Sequence, residues 1–312
     1  MITVITMNPS VDRSYEVDNF QLEKVQRANS MIATAGGKGL NVARVIKSLG
    51  GHARCMGFLG GHTGDFIRQE VLAHGLAAHF TTIAGTSRTC LNICNQDGCS
   101  TEIIEPGPVI EPREVEVFKG GLEAVLADTK ILVAAGSLPP GVPNECYAEI
   151  AAICKRRSIK FILDSSGEAL RAGLVQQPFL IKPNETELAA LSGMRVETEA
   201  EAFAASSRVL EMGAENVCVS LGKKGMMLNG SMGRLVVHIP TVKVQNTVGC
   251  GDSLVGGLAY ALDQGWNVFK MLKFANACGI SNALHAGVGI IDPSQVEFFS
   301  GQVTVLPYAD IN

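Results

Sequence analysis

Short runs of apolar, often β-branched residues recur along the chain. Between them lie longer stretches whose apolar positions fall three and four apart. The first pattern predicts buried strands and the second amphipathic helices. Strands are expected at Ile2–Thr6, Ala53–Leu59, Ile131–Ala135, 161–163, Leu180–Ile181 and 217–220. The stretch 39–49 sets Leu40, Ala43, Ile46 and Leu49 near helical spacing, and Gly50-Gly51 ends it. Further helices are expected at 64–74, 144–157, from Asn184 to about Leu191, 199–212, 252–263 and 267–284. This alternation predicts an α/β fold: a mostly parallel central sheet with helices on both faces. In such sheets ligands bind beyond the carboxyl ends of the strands.

Two stretches break the alternation, 14–35 and about 88–105. Both are rich in strand signals without a helix between them. Gln96-Asp97-Gly98, with its Asp-Gly pair, reads as a hairpin turn. These segments predict a small β lid beside the main sheet. A lid sheet has edges able to pair with a second subunit, so a homodimer through the lid is expected. No repeat, low-complexity segment or Pro/Ser-rich linker marks a second domain, so 1–312 reads as one unit.

Composition removes several function classes. Aromatic residues make up only 5% of the 312 positions and Trp266 is the single tryptophan, so no base-stacking platform is available. A net charge of −4 without a basic run argues further against nucleic acid. No segment reaches the ~18 uninterrupted apolar residues of a membrane span. The N-terminal residues lack the features of a signal peptide, and a cytoplasmic protein is expected. The nine cysteines and six histidines fall at no metal-ligand spacing, which favours reduced thiols over structural zinc.

The candidate chemistry begins at residues 246–257, Asn-Thr-Val-Gly-Cys-Gly-Asp-Ser-Leu-Val-Gly-Gly, which run into a helix. Gly249 and Gly251 free the backbone for close approach. The amides from Gly249 to Asp252 would be unpaired at the helix N-terminus, where the dipole favours an anion such as a phosphoryl group. Asp252 then has two readings of similar weight, a helix cap or a base that takes a proton from an attacking hydroxyl. Cys250 inside the loop is either a thiol acidified by the helix terminus or a small residue suited to a tight turn, the second being favoured.

Three more elements follow predicted strands. Ala35-Gly36-Gly37-Lys38-Gly39-Leu40-Asn41 is a glycine loop at a helix start and not a Walker A loop. Its Asn41 suits a ligand hydroxyl, as does Asp12 after Asn8-Pro9-Ser10. In Lys182-Pro183-Asn184-Glu185-Thr186-Glu187, Asn184 and Glu187 share one side of a helix start. That spacing fits magnesium held partly through water, and fits a capping box better. Ser220-Leu221-Gly222-Lys223-Lys224-Gly225 suits a nucleotide, and equally a plain hairpin.

Together, in this order, these elements resemble the PfkB family of carbohydrate kinases, also called ribokinase-like, across essentially the whole chain. The resemblance implies that Asp252 is the catalytic base and that Gly249, Cys250 and Gly251 help form the anion hole. It implies ATP and Mg2+ as cofactors, with Lys182, Asn184 and Glu187 near the triphosphate and its metal. Ser220, Gly222 and Gly225 match the nucleotide loop, and Asn276 and Gly279 match a segment beside the adenine. Cys250 departs from the Ala or Ser usual in the family. Lys38 and Arg88, with Arg27 as a third, favour a substrate that already carries phosphate. Asn8–Asp12, Gly36 to Gly39, Arg88 and the loop around Ser137 resemble the tagatose-6-phosphate kinase and 1-phosphofructokinase branch. The resemblance thus implies phosphorylation of a ketohexose phosphate, with tagatose 6-phosphate slightly favoured. Fructose 1-phosphate, a neutral sugar, or nucleotide binding without turnover are the alternatives.

Overall fold

The protein's structure, a computed structural model, describes residues 1–95 and 100–308. The turn expected at Gln96-Asp97-Gly98 lies outside the described residues. Seven parallel strands form most of the central sheet: β1 (Ile2–Thr6), β4 (Ala53–Leu59), β5 (Ala77–Thr82), β8 (Ile131–Ala135), β9 (Lys160–Asp164), β10 (Leu180–Ile181) and β11 (Asn216–Ser220). Three antiparallel strands extend it, β12 (Met226–Gly230), β13 (Gly233–His238) and β14 (Thr304–Pro307). The sheet order is β14-β13-β12-β11-β10-β9-β8-β1-β4-β5.

Alternation within each strand feeds two cores. In β8, Ile131, Val133 and Ala135 enter one core. Leu132 and Ala134 enter the other. The first core includes apolar residues of α1 (Lys38–Ser48), α2 (Gly61–Ala73), α8 (Cys250–Asp263) and α9 (Val268–Ala283). The second includes those of α3 (Pro112–Val125), α4 (Cys146–Arg156), α5 (Gly167–Leu174), α6 (Glu185–Ser192) and α7 (Glu199–Glu211). A last helix, α10 (Pro293–Gln302), packs against α9. With both faces covered, the buried parallel strands read as continuous apolar runs, which is why they stand out in the sequence. No helix among the described residues is long and apolar enough to cross a membrane.

A second sheet of four strands has the order β3-β2-β6-β7: β2 (Ser10–Val17), β3 (Ser30–Gly36), β6 (Arg88–Asn95) and β7 (Ser100–Ile104). It occupies the two stretches that break the alternation. Its first strand starts earlier than expected, at Ser10, and so carries Asp12.

Helix starts are set by local chemistry. Asn184 and Glu187 cap α6 reciprocally, and Thr198 with Glu201 does the same for α7. Glu111, Pro112 and Glu114 start α3, whose Val115, Phe118, Leu122 and Val125 are buried at helical spacing. That helix was not expected, because Gly120-Gly121 interrupts its pattern.

Candidate active site

The entry to α8 is shaped by Gly249, which sits in the left-handed region at φ 81° as the N-cap. A Cβ there would lie 2.5 Å from Val288 Cγ1 and 3.1 Å from the Gly289 nitrogen. The turn leaves the N–H groups of Gly251 and Asp252 with no acceptor among the described residues. The Cys250 N–H leans on the Thr247 carbonyl at 3.4 Å, so the free amides are fewer than the four expected. At Gly251 a Cβ would stand 3.3 Å from Lys182 Nζ, so the lysine head lies at the same opening. Unpaired donors, a helix N-terminus and a cation together suit an anion.

Asp252 is buried, with 7% of its surface exposed. Its Oδ2 accepts from Asn41 Nδ2 at 2.7 Å. Burial, with the charge of Asp164 behind it, pushes the carboxyl up to about 6; the Asn41 hydrogen bond and the Lys38 and Lys182 charges pull the other way. A carboxyl near neutrality can accept a proton in turnover. The Asn41 amide thus addresses Asp252 directly.

Asp164, at the carboxyl end of β9, was not singled out as a site residue. It is 1% exposed, and neither carboxylate oxygen has a hydrogen-bond partner. Lys182 Nζ lies at 3.5 Å and the half-exposed Lys38 Nζ at 3.8 Å. Asp164 in turn holds the Lys38 ammonium above its usual range. The signal for it was its position, since a carboxylate closing a buried parallel strand faces the ligand edge. Two orphaned, buried, hard oxygens fit a magnesium ion. Asn184 and Glu187 are committed to their capping box: Asn184 Oδ1 accepts from the Glu187 N–H at 2.8 Å, and Glu187 Oε2 accepts from the Asn184 N–H at 2.9 Å. The Glu187 side chain still acts electrostatically on Lys38.

Asp12 lies under Gly36, where a Cβ would strike its Oδ2 at 2.0 Å. Ser10 Oγ donates to Asp12 Oδ1 at 2.6 Å, and burial holds the Asp12 carboxyl above the usual range. Arg88 pairs in register with Ser10, donates to the Asn8 and Glu105 carbonyls, and its charge reaches Asp12. Gly37, at φ 115°, packs on Pro9, so Lys38 and Arg88 border the same 8–12 segment. Gly136 brings the exposed Ser137 loop beside the Lys38 stem. Arg27 lies on the mostly exposed 18–29 link between β2 and β3 and makes no hydrogen bond or ion pair with this group among the described residues.

The remaining expectations separate. Ser220 bridges Asn184, which joins the glycine turn to the α6 start. In that turn Gly222 and Gly225 have positive φ, and a Cβ at Gly225 would meet the Val237 carbonyl oxygen at 2.0 Å. The hairpin alone thus demands Gly225. Asn276 is buried, and its Nδ2 donates to the Leu272 carbonyl of its own helix. Gly279 lets α9 approach α8, since a Cβ would be 3.2 Å from the Cys250 carbonyl oxygen. Burial raises the Cys250 thiol pKa rather than lowering it, which favours the small-residue reading. Asn282, missed in the sequence, ties the loop together. It is fully buried, donates to the Val248 carbonyl at 2.8 Å, and accepts from the Gly289 N–H at 2.8 Å and the Ser253 hydroxyl at 3.1 Å.

The model of the pfkB family carbohydrate kinases matches residues 5–295. The chain belongs to the PfkB family. A tagatose-6-phosphate kinase of Staphylococcus epidermidis is 39% identical over 309 residues, covering 98% of this chain and 99% of that one. Phosphofructokinase-2 of Escherichia coli in complex with fructose-6-phosphate superposes with a TM-score of 0.88 at 29% identity, covering 97% and 98% of the two chains. A tetrameric inhibited form of the same enzyme gives 0.88 at 30% identity, covering 96% and 98%. This PfkB enzyme is thus an ATP-dependent phosphotransferase with an alcohol acceptor, of the sugar-phosphate kinase kind.

Proposed function

We propose that this PfkB enzyme transfers the γ-phosphoryl group of ATP to the free primary hydroxyl of a ketohexose phosphate, tagatose 6-phosphate or fructose 6-phosphate, giving the 1,6-bisphosphate. The observation that carries the reading is Asp252, a buried carboxyl near neutrality seated beside unpaired amides and two lysines. Asp252 accepts the hydroxyl proton as the acceptor oxygen closes on phosphorus. The Gly251 and Asp252 amides and Lys182 receive the charge that develops on the transferred group. Lys38 and Arg88 hold the phosphate already on the sugar, Asp12 orients its hydroxyls, and the lid sheet excludes water. Magnesium, when bound at Asp164 with Glu187 nearby, would add positive charge against the nucleotide phosphates. The name of the Staphylococcus epidermidis relative supports tagatose 6-phosphate as the first substrate to try. Lid-to-lid contact in a homodimer belongs to the same reading.

ADP release measured over a panel of sugar phosphates, free sugars and nucleosides tests it. Turnover should be confined to ketohexose phosphates. Asp252→Asn should lower kcat at least ~10²-fold with ATP affinity nearly intact. Lys38→Ala should mainly raise KM for the phosphosugar. Near-normal turnover by Asp252→Asn, or preference for an unphosphorylated acceptor, refutes the proposal.

A further inference from the structure

Helix α1 presents Lys38, Asn41 and Arg44 at spacings of three, so the three share one side of its first two turns. Lys38 addresses Asp164 and Asn41 addresses Asp252. Arg44 has no place in the function derived so far. It is largely buried, its Nη1 donates to the Ala35 carbonyl at 3.0 Å, and its Nη2 donates to Asn41 Oδ1.

We propose that Arg44 is a positioning residue for the base: acting through the Asn41 amide, it decides which oxygen of Asp252 is free to take the proton. An amide side chain has one accepting and one donating end. A guanidinium offers only donors and stays protonated at any working pH. Facing Arg44, Asn41 must therefore present its oxygen, which turns its NH2 onto Asp252 Oδ2. The flipped amide would set NH2 against guanidinium and carbonyl against carboxylate. Oδ2 is thereby held as an acceptor, and Oδ1 is left for the acceptor hydroxyl. In the transfer step the hydroxyl oxygen bonds to the γ-phosphorus, the bond from phosphorus to ADP breaks, ADP keeps that electron pair, and the proton passes to Oδ1. The Ala35 carbonyl, on the lid strand β3, fixes the far side of the guanidinium.

This inference rests on Asp252 being the base. The charged groups that bear on that carboxyl are Asp164 from β9, Lys182 after β10, and Lys38 from α1, with Arg44 behind Asn41. The test is the pH profile of kcat for the wild type, Arg44→Met, Asn41→Leu and the double variant. Each single variant should move the acidic limb upward by about one pH unit, the effect of losing one hydrogen bond to a charged group. The double variant should move it no further than Asn41→Leu alone, because Arg44 acts through Asn41. Arg44→Gln keeps a donor for Ala35 but cannot fork to both oxygens; it should shift the limb likewise, and it serves if the Met variant fails to fold. A uniform loss of kcat with an unmoved limb, or additive shifts in the double variant, overturns the inference. Asp252→Asn separates the two levels. If it is inactive while the Arg44 variants keep the wild-type limb, only this inference falls; if it remains active, the base assignment falls first.

Discussion

At the scale of single residues, the ionised Asp252 is held against the fold's own preference. Its carboxyl titrates at about 6 in the folded chain against 3.8 ordinarily, so the folded state binds the proton more tightly than the unfolded one. Stability from this group therefore grows as pH falls through about 6 toward 3.8 and is lowest above 7, by about 3 kcal/mol. Asp252→Asn should raise the thermal midpoint at pH 8 by several degrees, with the gain shrinking toward pH 4.5. Calorimetry at the two pH values checks this, and a variant less stable than the wild type at pH 8 contradicts it. The same residues show what the sequence could and could not convey. Asp252, Gly249 and Lys38 were legible because their meaning is local, a helix start with glycines and a charge. Asp164, Arg44 and Asn282 were not: Asp164 meets Lys38 from a distant strand, Arg44 reaches Asp252 only through Asn41, and Asn282 ties backbone groups on both sides of it that only the fold brings together. Asn41 was legible as a polar residue at a helix start, but its contact with Asp252 was not, since only the folded chain brings the two together.

At the scale of elements, the anion-binding end of α8 depends on how its backbone enters the helix. Gly249→Ala would force a Cβ into the left-handed region and against Val288. The expected result is a destabilisation of about 1–3 kcal/mol with a kcat loss of at least tenfold, because the amides would no longer point at one spot. A Gly249→Ala enzyme with both normal melting and normal turnover would remove the claim that this turn aims the amides. Elements were legible where burial on both faces made the strand almost wholly apolar or β-branched, as in β1 and β8. They were obscure where it did not. The edge strand β5 is only partly buried, and the β12–β13 hairpin carries Asn229 and Gly230 within its pattern.

At the scale of the molecule, the four-stranded sheet has unlike faces. Register puts Arg13, Tyr15, Met31, Ala33, Leu91, Ile93 and Ile103 on one side, and Asp12, Ser14, Ile32, Thr34, Asn92, Glu102 and Ile104 on the other. Met31 and Ile103 are about half exposed. Beyond the end where Val11 and Ala35 are buried, the side away from Asp12 is mostly apolar, with Arg13 on it, and is a candidate self-pairing surface. Light scattering should report a dimer for the wild type and a monomer for Met31→Glu combined with Ile103→Glu. A monomeric wild type ends that assignment.

The pairing of Ser10 with Arg88 has one more consequence. Asp12 and Arg88 sit on adjacent strands of one hydrogen-bonded ribbon, whereas Lys38 and Asp252 belong to helices packed on the larger sheet. On the proposed function, the handle for the sugar and one handle for its phosphate are thus fixed to one another by strand pairing. A ligand with both features would engage that ribbon at two points and one missing its phosphate at a single point, so discrimination would come from leverage as much as from fit.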